Sequence, residues 1–517
     1  MFKRKVKKMK HDFSRTKLVK SSYFILFGSV FERMIRFLSG IVVARILGPG
    51  QYGVFSLCRN ILYISSLFTR IGLDLGIVKL IHHENEKDSV NIIIFQILFF
   101  ILFISLFFVI ITQFCLANFL EKYILKHKDL ANSLKILIFA LPFLTLMQVL
   151  RGVFRGYLQF FPIIFSEKIL QPTLRLLFVL SFFLFFGLQL KGVLYATVLS
   201  FVFAATYLFL IFLKKFFCAN FLKNICYNFL NLKKFLDVYK FSFIIFLTGS
   251  VIFLLQRMDL LMIGFYLNSE EVGKYSVLQL IVPIIGLFSN TLNQIIAPLI
   301  ANAWAHSDFL KIKKIMFQHI KWIFILTLPF LWVFLIWGKE IMLIFGSDYE
   351  VKLSVIRVLA FTYFLLSVFS STGFVLSMTN KHIVEFICMS TALVLNFFLN
   401  LILIPIYGLL GASLATFFSI LFSLSLKIFQ IYRIYKIHIF QKEMGYLIIV
   451  AFISFILNIL IYQFYNDIFL SYIFKIIISF LTFIITYILI LIFSPFRNDM
   501  FFLFLSIRNK HRMVNKL

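Results

Sequence analysis

Charge is what this sequence has least of. Only 14% of its 517 residues are charged, against the roughly one quarter that a water-soluble domain needs to cover its surface. The shortfall excludes a soluble fold, because the outer surface must face something other than water. Acidic residues are scarcer still, 21 against 51 lysines and arginines. The five cysteines (Cys58, Cys115, Cys218, Cys226, Cys388) are odd in number and lack metal-ligand spacing. That argues against a metal site and leaves buried apolar thiols as the reading. The nine histidines are scattered, with His82 and His83 beside a loop. No nucleophile–base constellation, phosphate-binding loop or large polar segment is present, so neither catalysis nor a cofactor is expected. Stretches between apolar runs stay under about 30 residues, too short to house a domain.

What is abundant is apolar. The chain is 62% hydrophobic and 19% aromatic, with a mean hydropathy of +0.99. Its repeated apolar runs match the ~20 helical residues that cross a bilayer core. About fourteen such helices are expected. The first six cover roughly 21–45, 52–79, 90–117, 135–158, 161–187 and 191–213. Six more follow at about 241–266, 272–303, 319–344, 352–378, 382–405 and 408–432, and the last two at about 445–465 and 472–493. Lysines and arginines at the termini and after even-numbered helices outnumber those in the opposite loops by more than three to one. By the positive-inside rule, both termini are expected in the cytoplasm and the net charge of +30 serves orientation rather than nucleic acid. The basic residues 1–20 then form a retained tail, not a cleaved signal, and 494–517 a second one. The connector 214–240 mixes Phe and Leu with lysine clusters. It suits a helix in the cytoplasmic interface facing anionic lipid, or a solvated basic linker.

An internal repeat is suggested by matching punctuation. Gly28-Ser29-Val30 recurs as Gly249-Ser250-Val251, and Gly53-Val54-Phe55-Ser56 as Gly273-Lys274-Tyr275-Ser276, at offsets of 221 and 220. Gly192 to Thr197 resembles Gly408 to Ser413 at an offset of 216. The expected fold is an all-α integral membrane protein of two six-helix lobes, 21–213 and 241–435, plus two extra C-terminal helices in 436–493. An even helix number per lobe makes the repeats parallel.

Charges inside the apolar runs are the functional signal. They are Glu32, Arg33, Arg36, Arg59, Arg70, Asp74, Glu167, Lys168, Arg175, Arg257, Asp259 and Arg357. A mid-helix arginine costs about 2.5–3.5 kcal/mol even on the gentlest insertion scale. Each must therefore be paired, near an interface, or facing a wet cavity. Glu32/Arg36 and Arg70/Asp74 stand at i, i+4 and can neutralise each other, whereas Arg357 can snorkel from a helix end. The remaining surplus of arginine over acid calls for water or an anionic guest, and phosphate suits the guanidinium fork best. Arg151 and Arg155 form another i, i+4 pair, fitted equally to a mouth for anionic headgroups or to a plain cytoplasmic anchor.

Ala44-Arg45-Ile46-Leu47-Gly48-Pro49-Gly50-Gln51-Tyr52-Gly53 resembles the signature between the first two helices of polysaccharide repeat-unit flippases, in the multidrug/oligosaccharidyl-lipid/polysaccharide exporter superfamily. Arg155-Gly156-Tyr157, Glu167–Arg175, Arg257–Gly264, Glu271–Tyr275 and Gly411–Thr416 fit as well. The resemblance implies a flippase, without ATP hydrolysis, that moves a polyprenyl-diphosphate-linked oligosaccharide to the outer leaflet of the plasma (inner) membrane. Polysaccharide assembly proteins would be its partners, besides membrane lipids. It implies headgroup contacts at Arg33, Arg36 and Arg59, to which Arg175 and Arg257 add themselves as further cavity cations, with Arg151 and Arg155 at an entrance. It also implies coupling to a proton or sodium gradient, for which Glu32, Asp74 and Asp259 are the available carriers. The Gly-Pro-Gly at 48–50 reads as a tight outer turn. The rival readings are an ion-coupled multidrug antiporter of the same superfamily, which would favour an acidic and aromatic cavity, and a membrane polysaccharide polymerase, which would favour a large outer loop.

Overall fold

The computed structural model describes residues 15–83, 87–216, 232–438 and 442–466, together with 481 and 484. All regular structure among them is helical, as the apolar runs require, because in hydrocarbon a helix satisfies its own backbone polar groups. The helices are α1 (15–47), α2 (49–70 continued by Leu73–His83), α3 (Ile92–Leu125), α4 (Leu130–Gly156), α5 (Phe160–Phe186) and α6 (Leu190–Lys215). Then come α7 (Phe246–Leu255 and Met258–Tyr266), α8 (Ser269–Ala305), α9 (Phe309–Leu343), α10 (Leu353–Met378), α11 (His382–Tyr407), α12 (Leu409–Tyr435) and α13 (Lys442–Asn466). The chain is thus a multi-pass membrane protein, with ten long apolar helices among the described residues and an eleventh if bent α7 is counted. The expected fourteenth helix, most of the connector 214–240 and the outer parts of both basic tails lie outside the described residues.

Residues pack into two units, one of 1–280, 345–349 and 397–412, the other of 281–344, 350–396 and 413–517. In the first unit, the run from α1 into α2 is broken only at Gly48, whose φ of 66° belongs to the left-handed region that glycine enters without strain. Pro49 follows at the first position of α2, where its missing N–H costs nothing. Three of the deviations from regular helix bear on the site: α2 breaks at Ile71 and Gly72, α5 carries a π-helical stretch Ile164–Leu170, and α7 bends by 50° before Met258. Each lies beside an ionisable residue, namely Arg70, Glu167 with Lys168, and Arg257.

The Gly48 turn is packed against the start of α8 by a reciprocal contact. A Cβ on Gly53 would overlap the Ser269 carbonyl, and a Cβ on Gly273 would overlap the Pro49 carbonyl. Gly53 and Gly273, and Pro49 and Ser269, are the same pairs at the 220-residue offset of the repeat. Only a residue without a Cβ permits backbone-to-backbone approach of this kind, as at small-residue helix crossings in membranes. Tyr349 finishes the same face: its hydroxyl donates to the Ala44 carbonyl at 2.9 Å and its ring meets Tyr52 edge-on at 6.1 Å.

In the second unit, Asp308 caps α9 by accepting from the Lys311 N–H at 2.9 Å, and α9 kinks at Trp337. The Trp332 indole stacks on Phe455 of α13 at 4.5 Å. Cys58 and Cys388 are buried as expected, but Cys115 is exposed on the π-distorted end of α3, where an apolar thiol faces outward at little cost.

Gly53→Ala is expected to lower the thermal stability of the purified protein by about 1–3 kcal/mol through overpacking. Gly445→Ala, whose Cβ would meet nothing within 4 Å, should leave the melting temperature unchanged. Equal melting of the two variants would remove the close-approach argument.

Candidate functional site

Four arginines of the first unit stand at one depth. Arg36 and Arg59 lie twelve and eleven residues from Gly48, Arg175 twelve from Gly187, and Arg257 ten from Leu267, the residues that end their helices on one side. At ~1.5 Å per residue that is roughly 15–18 Å from the helix ends. All four lie within electrostatic range of Tyr63 of α2, and Arg257 lies over its ring.

What holds each guanidinium is mostly neutral. Arg257 lies 4.8 Å from the Tyr63 ring centre and 5.3 Å from that of Phe253. Its Nη1 donates to Asn60 Oδ1 at 3.4 Å, while Asn60 Nδ2 donates to the Arg257 carbonyl at 3.1 Å. Arg59 stands 5.4 Å from the Phe55 ring centre, and Arg175 Nη2 donates to Ser39 Oγ at 2.9 Å. Arg59 and Arg175 pair with no carboxylate among the described residues. Arg36 is the exception, 2.9 Å from Glu32, and its side chain is 44% exposed although it lies within an apolar run. Aromatic faces and amide or hydroxyl oxygens satisfy the fork's donors without cancelling its charge.

A second group of charges lies nearer the opposite helix ends. Arg70 Nη1 donates to Asp74 Oδ2 at 3.1 Å, and α2 meets α4 where a Cβ on Gly152 would overlap the Asp74 carbonyl. That contact brings Arg151 and Arg155 of α4 within electrostatic reach of Arg70 and Asp74. Glu167, in the π-helical part of α5, reaches to 2.9 Å from Arg151. Its neighbour Lys168 donates to Ser29 Oγ of α1 and lies near Arg33. Arg33 therefore stands apart from the Tyr63 ring and belongs with Lys168, while Arg151 and Arg155 share one group with two acids.

The three candidate coupling acids have different settings. Glu32 faces Arg36 and Asp74 faces Arg70. Asp259 is buried, accepting from the Tyr275 hydroxyl at 3.1 Å and from Asn400 Nδ2 at 2.9 Å. No group of three or more His, Cys, Asp or Glu side chains suited to a metal ion occurs among the described residues.

Sequence reasoning missed three features. Tyr63 gave no signal, since one tyrosine in an aromatic-rich helix is unremarkable in sequence. Lys427 and Glu385 were passed over as residues near helix ends; they form a 2.7 Å pair in the second unit, with side chains 4% and 15% exposed. The third is an apolar cavity of about 810 Å³ in the second unit, lined by Phe324, Leu328, Trp332, Phe361, Leu424 and Ile448 among others. No periodicity in a uniformly apolar chain reveals such a space.

Comparison with known proteins follows the geometry. The sequence profile of the polysaccharide biosynthesis protein family matches residues 18–304, more than half of the chain. The chain belongs to this family. A MatE profile matches 245–402 as well, which places it in the multidrug/oligosaccharidyl-lipid/polysaccharide exporter superfamily. Among relatives, a candidate O-antigen transporter of Shigella flexneri is 21% identical over 77% of this chain and 94% of its own length. A candidate low-salt glycan biosynthesis flippase of Haloferax volcanii is 29% identical over 31% of this chain and 34% of its own. Among solved structures, the lipid II flippase MurJ in an inward closed conformation superposes with a TM-score of 0.75 at 15% identity, over 92% of this chain and 99% of that one. The MATE multidrug transporter DinF-BH gives 0.58 at 17% identity, covering 83% and 98%. The family member's fold is therefore of the MurJ and MATE kind.

Two predictions follow for this polysaccharide biosynthesis family member. Lys427→Met should destabilise the protein by about 3–5 kcal/mol by leaving a buried carboxylate unpaired, and the double variant with Glu385→Gln should recover most of that loss. Thermal melts of the two singles and the double check it, and additive losses would contradict a direct pair. His127, in the 126–129 turn, has its Nε2 2.8 Å from the Gly264 carbonyl, and burial holds its pKa below the ordinary value. Its contribution is therefore present above the unfolded pKa of about 6.5 and is lost as pH falls toward the lower folded value. His127→Gln should flatten that acid limb of stability, read by melting temperature against pH.

Proposed function

We propose that this protein is a flippase that carries a polyprenyl-diphosphate-linked oligosaccharide from the cytoplasmic to the outer leaflet by alternating access, for cell-surface polysaccharide assembly. The observation that carries this reading is the cluster of Arg36, Arg59, Arg175 and Arg257 within electrostatic range of Tyr63, in which Arg59 and Arg175 pair with no carboxylate among the described residues. Guanidiniums with so little acid among them are stabilised by a multiply charged anion, and a diphosphate presents the oxygens their forks fit. The names of the Shigella and Haloferax relatives agree with a glycan-lipid cargo. Arg33, Arg151 and Arg155 form the approach from the cytoplasmic side. Asp259, buried and accepting from Tyr275 and Asn400, is the carboxylate that exchanges a proton or sodium ion in this reading.

Alternating access needs one side closed at a time. The reciprocal contact of Gly53 with Ser269 and of Gly273 with Pro49 supports a closed outer side formed by the two repeats. The apolar cavity of the second unit has the lining that an isoprenoid segment requires. A drug antiporter for organic cations would meet four arginines here, which makes cation binding unfavourable.

Purified protein in liposomes should speed the exposure of a polyprenyl-diphosphate oligosaccharide to a membrane-impermeant glycosidase, relative to protein-free vesicles. Arg59→Ala and Arg257→Ala should each lower that rate at least ~100-fold, the loss expected from about 3 kcal/mol of charge-assisted binding. Asp259→Asn should remove the dependence on an imposed ion gradient. Unchanged transport by well-folded arginine variants would refute the cationic-cavity mechanism.

A further inference from the structure

The second charge group of the first unit contains one ion pair unlike the others. Glu32–Arg36 and Arg70–Asp74 each lie on one helix at i, i+4, and the latter is an aligned hydrogen bond. Glu167 instead reaches from α5 to Arg151 on α4, and the 2.9 Å approach of Oε1 to Nε is a charge contact with no aligned hydrogen bond at either atom. The side chains are largely but not fully covered, 16% exposed for Glu167 and 24% for Arg151. The π-helical turn Ile164–Leu170 aims Glu167 across the helix gap, a distortion that recurs at functional positions.

The surroundings of Glu167 are cationic. Arg151 and Arg155 face it from α4, with Glu32 and Arg36 on α1 within electrostatic range. Arg70 and Asp74 on α2 join through Arg151 and Arg155, and α6 offers Tyr207, whose ring lies 5.1 Å from that of Phe165. A cationic site reached from a lipid leaflet meets bulk anionic phospholipids far more often than its cargo. Such a headgroup is a single phosphodiester with one charge. On displacing Glu167 it gives Arg151 one charge for one and leaves a largely covered carboxylate without its cation. A diphosphate diester brings two charges. One replaces Glu167 at Arg151 and the second serves Arg155, one turn further along the same face.

We propose that Glu167 is a built-in counter-anion that holds Arg151 until a diphosphate headgroup displaces it, and so keeps Arg151 from filling with the more weakly held, singly charged phospholipid headgroups. The proposal rests on the flippase reading and adds to it the means by which the approach rejects bulk lipid. Neutralising Glu167 removes the competitor for either headgroup, so abundant phospholipid fills Arg151 at fractions that leave the wild-type ion pair intact.

The full-length protein in neutral detergent is titrated with two probes, a farnesyl-diphosphate-linked monosaccharide and short-chain phosphatidylglycerol, for the wild type, Glu167→Gln and Arg151→Gln. The wild type is expected to favour the diphosphate. Glu167→Gln should bind phosphatidylglycerol roughly tenfold more tightly than the wild type does, about one charge-assisted contact. Arg151→Gln should lose diphosphate affinity. Glu167→Met, an apolar near-isostere suited to a membrane helix, repeats the test should the glutamine variant melt early. In liposomes, Glu167→Gln should also become sensitive to added phosphatidylglycerol at fractions that leave wild-type flipping unaffected. A wild type that discriminates together with a Glu167→Gln that binds phosphatidylglycerol no more tightly than the wild type overturns the role of Glu167 alone. A wild type that binds both probes alike overturns the diphosphate reading itself, and the role of Glu167 with it.

Discussion

A guanidinium in the middle of a membrane helix is tolerated only where its five donors and its charge are both answered, because hydrocarbon answers neither. In the first unit the donors are answered locally, by Ser39, by Asn60 and by the faces of Phe55, Phe253 and Tyr63. The charge of Arg59 and Arg175 is not answered by a carboxylate among the described residues, whereas Glu32 lies against Arg36. The helices carrying Arg36, Arg59, Arg175 and Arg257 must therefore be held together by something other than those side chains, which repel one another. Backbone packing of small residues supplies the hold, at Gly152 against Asp74 and at Gly53 and Gly273 against the opposing turns.

Three local irregularities of this unit lie beside charges. Where α2 breaks, α5 widens into a π-turn and α7 bends, an ionisable residue is adjacent. A regular helix directs side chains by its period alone. Breaking that period lets Glu167 span from α5 to α4 and lets Arg257 lie over Tyr63 while Asp259 points into a neutral, buried setting. The second unit shows the contrasting solution. There Lys427 and Glu385 satisfy each other at 2.7 Å, so a buried charge pair stitches α11 to α12 without leaving a surplus.

The apolar cavity of the second unit and the charged groups of the first are two separate features. Each has its own physical basis: one is a space that side chains of neighbouring helices do not fill, the other a set of charges with too few counterions.

The helix positions, the two i, i+4 pairs and the arginine surplus follow from the chain itself, because crossing a bilayer sets helix length and because i, i+4 geometry is local. The common depth of Arg36, Arg59, Arg175 and Arg257 could also be counted from the turns, once the helix ends are known. Which helices touch could not be counted. Arg257 over the ring of Tyr63, Glu167 across from Arg151, Lys427 against Glu385, and Arg33 beside Lys168 rather than in the Tyr63 cluster are all contacts between helices. A uniformly apolar surface carries little periodic signal of its partners. Tertiary packing decided those contacts, because in a bilayer the hydrophobic effect that orients a soluble helix is absent and the fit of small residues and polar groups takes its place.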